Sequence, residues 1–214
     1  MNTELSFALQ DSYNRIAQEY ATRIYGELAH KPFDRELLER FADRVRRVGQ
    51  VCDLGCGPGH VARYLHDLGV DIFGMDISPG MVEKARELNP DIEFRQGDMR
   101  SLPVEENSWA GITAFYSLIH IPRDAMISTL RELWRVLLPG GVLFLAFHIG
   151  EADVHRDELW GHPVSLDFLF FTSDEMRGYL EAAEFTVEMI TEREPYPDVE
   201  HQSRGCYVFA RKPI

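Results

Sequence analysis

The sequence predicts an α/β fold: a three-layer sandwich with a mainly parallel seven-stranded sheet ending in an antiparallel hairpin, plus an N-terminal helical cap. Three observations predict it. Strand-like and helix-like patterns alternate from Gln50 to about residue 147, as they do in sheets built from parallel crossover units. A glycine turn, Asp53-Leu54-Gly55-Cys56-Gly57-Pro58-Gly59, closes the first strand, and Gly74-Met75-Asp76 ends the second on a carboxylate. In open α/β sheets that carboxyl edge is where an adenosine-containing ligand is seated. Finally, strand patterns at 185–193 and 204–211 follow each other across a short loop, which pairs them antiparallel.

The elements follow in order. Tyr13, Ile16, Ala17, Tyr20 and Ile24 recur at three- and four-residue spacing, predicting an amphipathic helix from Asp11 to Ile24. A second helix, Phe33 to Val45, turns Leu37, Leu38 and Phe41 inward. Together they form the expected cap over 1–47. The core, 48–148, reads as strand 50–54, helix 59–68, strand 70–75, helix 79–88, strands 92–96 and 110–115, helix 123–137 and strand 141–147. Ser78 is placed to cap the helix that Pro79 opens, and Pro139-Gly140-Gly141 reads as a helix-to-strand turn. Over 149–214 an acidic, His-containing loop runs to about 165, followed by a short strand 166–171, a helix 173–182 capped by Ser173, and the last two strands. The whole of 1–214 reads as one domain.

Composition excludes several classes. The chain has 214 residues, 45% hydrophobic and 27% charged, values usual for a soluble protein. It has no apolar run long enough to span a bilayer, and Met1-Asn2-Thr3-Glu4 lacks the blocks of a signal peptide. A cytoplasmic protein without a membrane partner is expected, as monomer or homodimer. With 35 acidic against 22 basic residues the net charge is −13, which repels a polyanion, so no nucleic-acid partner is expected. The one dense basic run, Arg44-Val45-Arg46-Arg47, suits a solvated helix face. Cys52, Cys56 and Cys206 lack zinc-site spacing and read as reduced packing residues, so no metal is expected.

The glycine spacing selects among nucleotide ligands. A dinucleotide fingerprint is G-x-G-x-x-G around a pyrophosphate, whereas Gly55, Gly57 and Gly59 alternate and His60 stands one place beyond. Asp53 before the turn puts a carboxylate where a diphosphate would be repelled, which suits a cationic ligand.

That combination resembles the class I S-adenosylmethionine-dependent methyltransferases, whose first motif is an acid followed by G-x-G-x-G. Four further segments match the family in order: Asp76-Ile77-Ser78, Gly97-Asp98-Met99, Phe115 to His120, and Leu138-Pro139-Gly140-Gly141. The resemblance implies S-adenosylmethionine as cofactor and S-adenosylhomocysteine as product. It implies that Asp76 takes the ribose hydroxyls, that Asp98 takes the adenine amine while the Met99 N–H meets a ring nitrogen, and that Ile77 and Met99 flank the base. Gly55, Cys56, Gly57 and Gly59 would form the turn beneath the cofactor, with Asp53 acting near its amino group or sulfonium. Phe115, Tyr116 and Ser117 would pass on the same side. Tyr13, Ala17 and Tyr20 match a Tyr-x-x-x-A-x-x-Y segment that folds over the cofactor in small methyltransferases, which makes Tyr20 a further contact.

Methyl transfer from a sulfonium needs an in-line nucleophile and sometimes a base, but no metal or covalent enzyme intermediate. His120 and His148 follow the fourth and fifth core strands, where the acceptor belongs, and are the candidate catalytic bases. Ala114-Phe115-Tyr116-Ser117 replaces the Asp/Asn-Pro-Pro-aromatic motif of enzymes that methylate nucleobase amines, in keeping with the acidic charge. The acidic loop with Glu151, Asp153, His155, Asp157 and Glu158 reads as a solvated lid. The expected function is methyl transfer to a small-molecule acceptor at O, N or C. The alternatives are a non-catalytic S-adenosylmethionine-binding regulator and, less favoured by the spacing, a nicotinamide-dependent oxidoreductase.

Overall fold

Uninterrupted apolar runs become strands covered on both faces: every residue of Val51–Leu54 (β1) and Ile72–Asp76 (β2) is buried. The computed structural model describes residues 3–214, with side chains from Phe7 onward. β3 is Phe94–Gln96, β4 Trp109–Phe115, β5 Leu137–His148, β8 Thr186–Arg193 and β9 Gly205–Arg211. These strands form one sheet in the order β3-β2-β1-β4-β5-β9-β8. β1 to β5 run parallel, and β9 pairs antiparallel with both β5 and β8. The order turns back between β1 and β4, so the loops after those strands part and open a crevice at the carboxyl edge.

The helices are α1 Thr3–Ile24, α2 Pro32–Val45, α3 His60–Asp67, α4 Pro79–Leu88, α5 Arg123–Val136 and α6 Ser173–Ala182, with 3₁₀ turns at Glu27–His30 and Leu118–His120. One face of the sheet packs Val51, Ile72, Phe94 and Phe144 against Leu38, Phe41, Leu65 and Val82 of α2, α3 and α4. The other packs Ile112, Leu143 and Phe147 against Met126, Leu130, Leu133 and Leu180 of α5 and α6. The sandwich has three layers, as expected.

Several boundaries differ from the expectation. The helix expected from Asp11 begins at Thr3, because its first turns carry no clean apolar stripe. Of the expected two-helix cap only α1 covers the crevice, whereas α2 belongs to a sheet-covering layer, its Phe41 ring 5.9 Å from that of Phe144. The expected turn Pro139-Gly140-Gly141 lies inside β5, where Gly140 at φ 80 and a register shift absorb the corner. The N-cap of α6 is Thr172 and not Ser173: Thr172 Oγ1 accepts the Glu175 N–H at 3.1 Å.

The largest correction concerns 149–171. In place of an acidic loop and a strand at 166–171, β6 Val154–Leu159 and β7 His162–Phe168 form a separate antiparallel hairpin. Its two-residue turn, Trp160-Gly161, has φ of 54° and 84°, the positive pair that matches the twist of a tight hairpin. Charge hid it: along both strands only Val164 and Leu166 are buried. Those two pack with Ile16, Ala17 and Met81 beneath α1, and each aliphatic side chain so covered is worth roughly 1.5–3 kcal/mol. Hydrogen bonds fasten the same junction. Ser12 Oγ accepts the Ser165 N–H at 2.9 Å, and Asn14 Oδ1 accepts from Ser78 Oγ at 2.7 Å and from the Gly80 N–H at 2.9 Å.

Candidate active site

The crevice begins at the glycine turn. The N–H groups of Gly55 and Cys56 donate to the Met75 carbonyl at 2.7 and 3.1 Å, which folds the chain back over β2. Gly55, Gly57 and Gly59 all have positive φ, at 68°, 51° and 84°, a region that side chains disfavour. The Gly57 N–H then donates to Asp76 Oδ2 at 2.9 Å, and the Ser78 N–H to Asp76 Oδ1 at 2.8 Å. Each carboxylate oxygen keeps a lone pair for a further donor. Burial pushes the Asp76 carboxyl up to about 6, against the pull of those N–H groups.

Between the turn, the loop after β4, α1 and the β6–β7 hairpin lies a cleft of about 840 Å³, near the top of the range for small-molecule sites. Of the residues singled out in the sequence, Tyr20, Gly55, Gly57, Asp76, Ile77, Asp98, Met99, Phe115, Tyr116, Ser117 and His120 line it. Asp53, Cys56, Gly59 and His148 do not. Gly59 is an interior necessity, since a Cβ there would lie 2.7 Å from the Phe94 ring. Cys56 is 3% exposed, with its thiol pushed well up by burial.

Asp53 faces the sheet, where Thr113 Oγ1 donates to its Oδ1 at 2.7 Å. Its Oδ2 is buried without a hydrogen-bond partner, as is His60 Nδ1 at the start of α3. Burial pushes the Asp53 carboxyl up to about 6, the Thr113 hydroxyl pulling the other way. Asp53 thus lies beneath the glycine turn and does not open onto the cleft.

His148 stacks on Tyr116 at 4.5 Å between ring centroids, and its Nδ1 shares a hydrogen bond of 2.8 Å with Ser203 Oγ. Burial, with His201 and Lys31 nearby, pushes its imidazole down to about 4. His120 differs, because it lines the cleft. Its Nδ1 lies 2.8 Å from the Asp167 backbone oxygen and its Nε2 lies 2.7 Å from the Tyr13 hydroxyl.

Asp98 is gripped by the Arg100 guanidinium at 2.5–3.1 Å and also accepts the Arg100 N–H at 2.9 Å. Burial acts to raise its carboxyl, and Arg100 outweighs that and holds it low. Asp98 therefore stays an ionised acceptor at neutral pH, engaged by Arg100.

One constellation escaped the sequence reading. Tyr116 stands at φ 52, its hydroxyl 3.3 Å from that of Tyr207 and its ring 5.6 Å below the Lys31 ammonium. Lys31, 2% exposed, pairs with Glu27 at 2.9 Å and Glu200 at 3.1 Å. Asp34, 1% exposed, accepts from Tyr207 Oη at 2.9 Å and from Arg193 at 2.8 Å, and Arg193 also pairs with Glu200. These charges come from two distant stretches of the chain, as the Asp34 to Arg193 separation of 159 positions illustrates. No local pattern announces them.

Among the described residues no three His, Cys, Asp or Glu side chains gather as a metal site, and no helix is long and apolar enough to cross a membrane.

Comparisons with known proteins concur with the geometry. A family model described as "Methyltransferase domain" matches residues 51–141. A malonyl-[acyl-carrier protein] O-methyltransferase of Enterobacter lignolyticus is 31% identical over 139 residues, covering 60% of this chain and 53% of that protein. A demethylmenaquinone methyltransferase of Paenarthrobacter aurescens is 39% identical over 103 residues, 47% of this chain and 39% of that protein. The chain thus spans about half or less of the curated relatives' lengths. Among solved structures, the DhpI complex with S-adenosylhomocysteine superposes with a TM-score of 0.78 at 23% identity, covering 100% of this chain and 99% of that one. Magnesium protoporphyrin IX methyltransferase of Synechocystis with bound S-adenosylmethionine gives a TM-score of 0.74 at 18% identity, with coverages of 99% and 100%. Those likenesses show the fold.

Proposed function

We propose, on the premise that residues 51–141 belong to the methyltransferase domain family within a class I S-adenosylmethionine-dependent fold, that this protein methylates a small-molecule acceptor. The observation that carries the reading is a single cleft shared by the glycine turn, Asp76 and Asp98 on one side and by Tyr13 and His120 on the other. It joins a nucleoside-binding edge to a titratable pair, and its volume exceeds what the nucleoside end alone requires.

Asp76 would receive the ribose hydroxyls on its free lone pairs, and Asp98 the adenine amine, with Ile77 and Met99 flanking the base. The bare turn at Gly55 and Gly57 lets the ligand lie on backbone, Tyr20 closes over it, and the buried Asp53 supports that turn from beneath. The bound sulfonium supplies an activated methyl group, so the chain's own work is orientation, exclusion of water and handling of the acceptor's proton. His120, lining the cleft, is the favoured base. His148, off the cleft, is favoured as a support for Tyr116. Of the acceptors in the relatives' names, demethylmenaquinone supports the small-molecule class, whereas malonyl-[acyl-carrier protein] presents its malonyl group on a carrier.

Calorimetry tests the reading. S-adenosylmethionine and S-adenosylhomocysteine should bind with NAD silent, and Asp76→Ala should weaken both at least about tenfold, two charge-assisted hydrogen bonds being lost. Tight NAD binding, or an unchanged affinity in Asp76→Ala, would overturn it.

A further inference from the structure

The hydrogen bonds around His120 fix which atom carries which proton. A backbone carbonyl only accepts, so the 2.8 Å contact with the Asp167 oxygen makes Nδ1 the protonated nitrogen of a neutral ring. Nε2 is then a bare lone pair, and the Tyr13 hydroxyl at 2.7 Å must be its donor. Having given its one proton to His120, the Tyr13 oxygen retains lone pairs on the cleft side. Burial holds both groups in that state: it pushes the His120 imidazole down to about 4, keeping it neutral. It also pushes the Tyr13 phenol well above its ordinary value, with Tyr20 and Asp76 adding to the effect. The Tyr13 and Phe168 rings pack edge-on against the imidazole at 5.3 and 5.2 Å, so the pair is fixed on two sides.

The charge of the cleft narrows what meets that oxygen. Among the described residues, five aspartates (Asp76, Asp98, Asp124, Asp153 and Asp167) and two arginines line it. Both arginines are already engaged, Arg100 with Asp98 and Arg123 with Asp153 and Glu175. An anionic acceptor meets net repulsion there. An ammonium is attracted but has no lone pair with which to attack. A neutral hydroxyl is repelled by nothing and carries the proton that the Tyr13 oxygen is placed to accept.

We propose that Tyr13 relays the proton of a neutral hydroxylic acceptor to His120, an inference that rests on the methyl-transfer reading above. The acceptor oxygen forms its bond to the methyl carbon as the sulfur–methyl bond breaks, the electron pair of that bond staying on sulfur. The acceptor's O–H proton passes to the Tyr13 oxygen, and the Tyr13 proton passes to His120 Nε2. Tyr13 ends neutral and His120 ends as an imidazolium, so one positive charge is present before and after, inside an acidic cleft. A weak base suffices, because the hydroxyl proton becomes strongly acidic as the new O–C bond forms.

The test uses the full chain loaded with S-adenosylhomocysteine and two aromatic probes, neutral phenol and anionic benzoate. ¹⁵N NMR of labelled histidines, assigned with His120→Gln, should show the Nδ1–H tautomer for His120, and phenol should shift its Nε2 resonance. Calorimetry should find phenol bound more tightly than benzoate, and Tyr13→Phe should weaken phenol about fivefold, the worth of one hydrogen bond. An Nε2–H tautomer in the unmodified protein, benzoate matching phenol, or unchanged phenol affinity in Tyr13→Phe would overturn the relay. Failure of S-adenosylhomocysteine to bind would instead overturn the methyl-transfer reading, while the tautomer measurement still reports on the hydrogen-bonded chain.

Discussion

Replacing Gly55 by alanine should destabilise the protein by about 2–3 kcal/mol, as the sum of two separable terms. The first is conformational: Gly55 sits at φ 68, and a Cβ in the left-handed region costs about 1–2 kcal/mol. The second is steric, since the new Cβ would lie 2.3 Å from the Cβ of Ser117, a rigid atom next to the backbone. Ser117 must shift, and its 2.8 Å hydrogen bond from Oγ to the Leu54 carbonyl goes with it, another ~1 kcal/mol. Urea unfolding of Gly55→Ala, Ser117→Gly and the double variant separates the terms. In the Ser117→Gly background the overlap is absent and the hydrogen bond is already gone, so Gly55→Ala should cost only the conformational ~1–2 kcal/mol. A cost below about 0.5 kcal/mol for Gly55→Ala, within the range of neutral surface changes, would refute the close approach of the two loops. So would an equal cost in both backgrounds.

Thr172→Ala should cost about 1 kcal/mol in thermal or urea unfolding and Ser173→Ala far less, since Thr172 accepts the Glu175 N–H; the reverse ranking would contradict the cap assignment. For Asp53 the folded pKa of about 6 lies above the ordinary 3.8, so its contribution is fully present below about pH 4 and is lost as pH rises through about 6. Asp53→Asn, which still accepts from Thr113, should therefore gain on the unmodified protein by roughly 2–3 kcal/mol between those limits, and parallel stability curves against pH would refute a buried charge there. Asp34→Ala removes one of the two carboxylates that hold Arg193, leaving Glu200, and takes an acceptor from the Tyr207 hydroxyl; it should cost about 2–3 kcal/mol, measured by denaturant unfolding. A loss under about 1 kcal/mol, the worth of a surface pair, would place the network in solvent.

The parts of this protein that were legible in the sequence are those in which one local signal had one physical cause. β1 and β2 announce themselves as apolar runs bounded by glycine and aspartate, and the alternating glycines marked the bare turn that the structure holds at positive φ. Asp76, Ile77, Asp98 and Met99 lie at or just beyond the ends of β2 and β3, a position that alternation fixes. The β6–β7 hairpin was hidden because a two-stranded ribbon resting on one helix buries so few side chains that charge dominates its pattern. Asp53 and His148 were legible as residues near a strand end but not in direction. One side chain turns into the sheet against Thr113 and the other against Tyr116 and Ser203, and neighbouring strands decide that. The Lys31, Asp34, Arg193 and Glu200 network and the Tyr13 to His120 contact, 107 positions apart in sequence, exist only once the sheet has closed.

The fastening of α1 to the body by Ser12 and Asn14 separates two tasks within one wall. No sheet ladder passes through α1, and among the described residues its polar attachments to the hairpin and to α4 run through two short side chains. A substitution at Leu9, on the cleft-facing stripe of α1, therefore leaves the register of every strand untouched. It reshapes the cleft from above while the strand-end loops below keep their geometry, so the helix behaves as a replaceable panel.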